Sequence, residues 1–217
     1  MKKIIIAITL IFSVTVSAQK KITEGKIISK QTMSTDNEQA QAQFDAIGEM
    51  GTVAYFKNKN SRSEIKNPAT GDITTVINAD KNEMLMLMDS PMLGKLYMLK
   101  KNFVNPEDAK NITVTKGEAT KTILGYKCDQ YIIAIDKDGV NMKIEMFTTE
   151  KIPVISQQTI EYGDQIKGFP LYVTIEMNQM GIDMKITTEV TSVQEEKVSE
   201  ELFETTPPEG YKNMEEQ

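Results

Sequence analysis

The sequence predicts a mainly β protein, an antiparallel meander carrying a small share of helix. Two observations predict it. Apolar and polar residues alternate with period two over several segments, the signature of strands with one buried face. These segments are joined by short turns containing glycine, which suit hairpins.

The strongest alternation lies in the second half of the chain. Leu171, Val173, Ile175 and Met177 alternate with Tyr172, Thr174 and Glu176; Ile182, Met184, Ile186 and Val190 alternate with Asp183, Lys185, Thr187 and Glu189. Met142, Ile144 and Met146 do the same against Asn141, Lys143 and Glu145. Asn178-Gln179-Met180-Gly181 forms one turn, Asp136-Lys137-Asp138-Gly139 a second after strand Tyr131–Ile135, and Pro68-Ala69-Thr70-Gly71-Asp72 a third between Ser63–Lys66 and Ile73–Ile77. Further strands are expected over Ile22–Met33, Thr52–Lys57, Glu83–Asp89, Leu96–Lys100 and Ala119–Leu124. Asp36–Met50 carries Ala, Gln and Glu behind a Thr35 or Asp36 cap and reads as a helix. Pro106–Lys110 and Ser199–Phe203 read as single helical turns, and the polar tail Asn213–Gln217 as frayed.

The chain opens Met1-Lys2-Lys3, runs largely apolar from Ile4 to Val16, and reaches Ser17-Ala18-Gln19. A basic start, a short apolar run and small residues before a cut are the parts of a cleavable signal peptide. The expected division is therefore a leader at 1–18 and one β-rich domain at 19–217, exported and periplasmic or secreted. No cysteine stands at the expected cleavage site, so no lipid anchor is expected. No second run is long enough to span a bilayer as a helix. Cleavage removes Lys2 and Lys3 and takes the net charge from −6 to −8. That surface repels phosphate backbones, so nucleic acid is not an expected partner.

The chemistry available to this chain is narrow. It has no histidine and one cysteine, Cys128. Triads that use imidazole and zinc sites with sulfur and nitrogen ligands are therefore excluded. No phosphate-binding glycine loop occurs. Asp136–Asn141 resembles a calcium loop but places its glycine too early and Phe147 where a bidentate Glu belongs. Most acids alternate with apolar residues and read as the wet face of a sheet. No catalytic residue, cofactor or metal is expected, and Cys128 reads as a buried, inert thiol.

Methionine is the unusual feature, with fourteen residues. Glu83-Met84-Leu85-Met86-Leu87-Met88-Asp89 is apolar at both parities, so both its faces need a cover. Flexible, polarizable methionine suits surfaces that meet irregular apolar shapes. Met84, Met86, Met88, Met98, Met177 and Met184 are the candidate lining of a cavity for an apolar or lipid-like ligand. Thioethers also suit Cu(I), and Met84, Met86 and Met88 project from one side of a strand. With no histidine or paired cysteine beside them, packing is the expected role.

Two further stretches carry a resemblance. Thr120–Tyr131, containing Ile123-Leu124-Gly125-Tyr126-Lys127-Cys128, resembles an I-x-G-Y-k-C box, and Phe203 through Pro207-Pro208-Glu209-Gly210-Tyr211-Lys212 resembles a shared ending. Together they are similar to an uncharacterised secreted β-rich family of Gram-negative bacteria, related in architecture to the lipoprotein carrier (LolA-like) fold. Phe147 departs from relatives that carry tryptophan there. The resemblance implies a curved antiparallel half-barrel of about ten strands with one or two helices on its concave side. It also implies an apolar ligand between sheet and helix, without enzymatic activity. The alternative is a cell-envelope module whose partner is another protein.

Overall fold

The computed structural model describes residues 20–67, 71–103, 112–137, 140–179 and 181–216. The expected leader, the Pro106–Lys110 turn and the hairpin tips at Pro68–Thr70 and Asp138–Gly139 lie outside them. The strands are β1 (Glu24–Thr35), β2 (Met50–Lys57), β3 (Asn60–Ile65), β4 (Asp72–Asn78), β5 (Glu83–Ser90) and β6 (Gly94–Lys101). They continue as β7 (Val114–Ile123), β8 (Tyr126–Lys137), β9 (Val140–Thr149), β10 (Phe169–Gln179), β11 (Ile182–Gln194) and β12 (Lys212–Asn213). They form one twelve-stranded sheet in the order β12-β6-β5-β4-β3-β2-β1-β11-β10-β9-β8-β7. Its two edges do not meet, so the sheet is a curved half-barrel rather than a closed barrel. All pairings are antiparallel except the short β12–β6 contact.

Local chemistry accounts for the meander. Leu124 and Gly125 have φ of 49° and 82°, the left-handed pair that a two-residue hairpin turn demands. Gly125 thus makes a turn between β7 and β8; the β-bulge in this hairpin lies between Lys116 and Thr120 instead. Helix α1 (Glu38–Ile47) starts where the Asn37 side chain accepts the Ala40 N–H at 3.0 Å. It connects β1 to β2 and turns the half-buried Ala40, Gln41 and Phe44 inward, but buries no residue fully. Of the expected frayed tail, the described residues through Glu216 take regular structure: β12 adds to β6 and a 3₁₀ turn follows at Met214–Glu216.

The sheet has two covers, on opposite faces and at opposite ends. Residues 152–168, here called the strap, include the 3₁₀ helix Ile160–Gln165. The strap lays Tyr162 and Ile166 against Tyr131, Ile133, Ile144, Met146 and Val173. It also lays Ile152 and Val154 against Ile27, Phe56, Cys128, Leu171 and Val190. Gly168, at φ 86°, ends the strap where a Cβ would collide with the Thr149 carbonyl. Residues 198–211, the clasp, pack Val198 and Phe203 on Val76, Leu85 and Leu87. The Asn78 amide donates to the Phe203 carbonyl at 3.0 Å and the Thr205 hydroxyl donates to Glu83 at 2.5 Å.

Candidate functional site

A groove of about 390 Å³ opens on the strap side of the sheet, between β1–β3 and strap residues 154–158. Its floor follows the register: Ile27 lies opposite Ala54 and Ala54 opposite Ser63, so these side chains share one face. Phe56, Ile65, Phe169 and Val190 add apolar surface, and Ser29, Thr52, Ser61 and Thr188 add hydroxyls. No lining residue is charged, although 26% of the chain is. The strap is pinned over the groove by two hydrogen bonds. The Ser61 hydroxyl donates to the Ile155 carbonyl at 3.3 Å, and the Ile155 N–H donates to the Lys59 carbonyl at 3.4 Å.

The six candidate methionines share the groove's face but do not converge on it. Ser63 lies opposite Thr75, Thr75 opposite Met86, and Met86 opposite Met98. At ordinary strand spacing Met86 is about 10 Å from the groove's Ser63. Met84 and Met88 flank Met86 on the same face of β5. Met184 is four residues along β11 from the groove's Thr188, about 13 Å away, with Met177 directly opposite it on β10. Met177 and Met184 are among the residues around a wider depression, about 700 Å³, at the ends of β8–β11 and β1. The six therefore form two sets, separated by β1–β4. The groove residues escaped the sequence reading because β3, Asn60-Ser61-Arg62-Ser63-Glu64-Ile65, is almost wholly polar. Two small hydroxyls at one parity were the available signal.

The rest of the site is chemically quiet. Cys128 is fully buried and its Sγ donates to the Tyr126 carbonyl at 3.5 Å. Burial pushes its thiol up to about 11, far from a nucleophile's range. Burial also raises Tyr162. Among the described residues no group of His, Cys, Asp and Glu could hold a metal ion, and no helix is long and apolar enough to cross a membrane.

An open, curved antiparallel sheet with an uncharged groove under a strap defines a half-barrel protein. Residues 42–211 match the family described as Domain of unknown function (DUF4412), and the chain belongs to that family. No curated protein matches it. Among solved structures it is similar to PNGF-II in two crystal forms. One form gives 14% identity and a TM-score of 0.51 over 87% of this chain; the other gives 15% and 0.48 over 88%. The chain spans only about a third of PNGF-II, 30% and 31% in the two forms. It is also similar to a LolA superfamily protein from Nitrosomonas europaea, at 9% identity and a TM-score of 0.35, covering 83% of this chain and 90% of that one. At such identities the likeness concerns the fold alone.

Proposed function

We propose that this protein is an exported, non-enzymatic binding protein that holds an apolar or lipid-like ligand in the groove between β1–β3 and the strap. The observation that carries the reading is the groove's lining. It is concave, of a size that accommodates small ligands, and free of charge on a protein whose surface is rich in it. Hydroxyls at Ser29, Ser61 and Thr188 would orient one polar group of a mostly apolar molecule. A ligand longer than the groove would run out over Thr75 onto Met86 and Met98, or along β11 toward Met184 and Met177. Binding would be driven by apolar burial, at roughly 25 cal/mol per Å², less the cost of association. In this reading residues 1–18 are a cleaved leader and 19–217 a single domain.

The alternative, an envelope module that offers a sheet edge or face to a partner protein, would have β7, one of the sheet's two edges, for strand pairing. That edge is broken by its bulge and carries Lys116 and Lys121, features that discourage strand addition.

Native and denaturing mass spectrometry of residues 19–217, purified without detergent, tests the proposal. Adducts in the acyl-lipid mass range that vanish on denaturation are expected. Ser63→Phe, which fills the groove, should abolish them while leaving the far-UV spectrum unchanged. An apo mass that takes up no lipid on incubation would overturn the reading.

A further inference from the structure

We propose that Met86, Met88 and Met98 form a thioether site for a soft monovalent cation, Cu(I), separate from the groove. Three observations carry it.

The first is the register. Met86 and Met98 are directly opposed across β5–β6, so their Cβ atoms are about 4.5–5.5 Å apart, with Met88 on the diagonal at roughly 7–8 Å. All three side chains leave the same face, and three rotatable bonds each let their sulfurs converge.

The second is the division of labour along β5. Leu85 and Leu87 point to the other face and are buried beneath the clasp. Met84, Met86 and Met88 take every position on the strap-side face from 84 to 88, and there they are half-buried. Where β5 builds core it uses leucine; where its side chains remain accessible it uses methionine. Hydrophobic packing alone does not require that split, whereas a donor set does, because thioether sulfur is a soft ligand and leucine offers none.

The third is charge. Lys100 lies opposite Met84 on the same face, and its ammonium would repel a cation held there. At the other end Leu96 lies opposite Met88, so Met88 faces an apolar neighbour on β6 where Met84 faces a lysine; Lys212 of β12 lies one strand further out, beside Leu96. This selects Met86, Met88 and Met98 over Met84. With neutral sulfur donors and no carboxylate on this face of β5, the site would favour a soft monovalent ion over Zn(II) or Ca(II).

The test is anaerobic titration of residues 19–217 with Cu(I) against a chromogenic Cu(I) chelator, with Ag(I) in parallel and X-ray absorption on the loaded protein. One Cu(I) per chain in a sulfur-only shell is expected. Met98→Leu should weaken binding at least tenfold, and Met86→Leu/Met98→Leu should abolish it, because leucine keeps the volume and removes the sulfur. Met177→Leu/Met184→Leu should bind as the parent does. Failure to compete with the chelator would overturn the proposal. So would undiminished binding by the folded Met86→Leu/Met98→Leu protein, loss of binding in Met177→Leu/Met184→Leu, or nitrogen and oxygen ligands in the absorption spectrum.

Discussion

The β8–β11 half and the β3–β6 half of this sheet solve the same problem in opposite ways. In the first half the apolar row Tyr131, Ile133, Ile144, Met146 and Val173 is sealed by the strap, while Lys143 and Glu145 alternate on the other face. In the second half the row Val76, Leu85 and Leu87 is sealed by the clasp on the opposite face. The strap side of β5 is left with half-buried methionines. A strand needs one apolar row per cover. From Met142 to Met146 β9 has one apolar row and one cover, and Phe147 beyond them is buried on the other face, whereas β5 has a second apolar row beyond what the clasp requires. That surplus marks the second half as the place where packing does not account for the residues.

The largest expected effects lie at the two covers. Phe203→Ala should cost about 3–5 kcal/mol and Ile152→Ala about 2–5 kcal/mol in urea unfolding, since both side chains are essentially inaccessible. Each should lower Tm by roughly 10 °C. The two should differ in function. Ile152→Ala, in the strap, should impair ligand retention in the mass-spectrometric assay, and Phe203→Ala should spare it at temperatures where the protein stays folded. Equal loss in both variants would show that strap and clasp are not separate devices.

Cys128 sharpens the same contrast from within the strap-side core. Its folded thiol titrates near 11, raised by burial from an ordinary 9.0. Between those values the unfolded chain releases a proton that the folded chain keeps, so ionisation favours unfolding. Stability should be intact below about pH 9 and fall as pH rises toward 11. Cys128→Ala should flatten that part of a urea-midpoint profile against pH. In the parent protein the thiol should resist alkylation at pH 8 until denaturant is added.

The smallest expected effect lies in the β7–β8 turn. Leu124 sits at φ 49° with 46% of its surface exposed, a conformation that costs an ordinary L-residue about 1–2 kcal/mol. Leu124→Asn should raise stability by about 1 kcal/mol by thermal or chemical melt. A loss would show that the leucine packs in a way its exposure conceals.

Period-two alternation and glycine turns were enough to read nearly every strand from β1 to β11, because a half-buried strand writes its two faces directly into neighbouring residues. Boundaries were less legible. β8 begins at Tyr126, five residues before its alternation becomes visible, since Lys127, Asp129 and Gln130 put polar residues at both parities; Asp129 and Gln130 bond through their side chains to Lys116 on β7 and Glu145 on β9. The last strand, β12, has two residues and no pattern; only β6 beside it makes it a strand.

The sequence by itself determined the strand content, the absence of imidazole chemistry, the buried thiol and the methionine excess, all of which are local or compositional. Tertiary structure alone decided that the six methionines fall into two sets, that a polar strand such as β3 floors the groove, and that Met98 meets Met86. Those facts depend on which strands become neighbours and in what register. Register is set by pairings between residues distant in the chain and by which face the strap and the clasp each cover, and neither is encoded within any one segment.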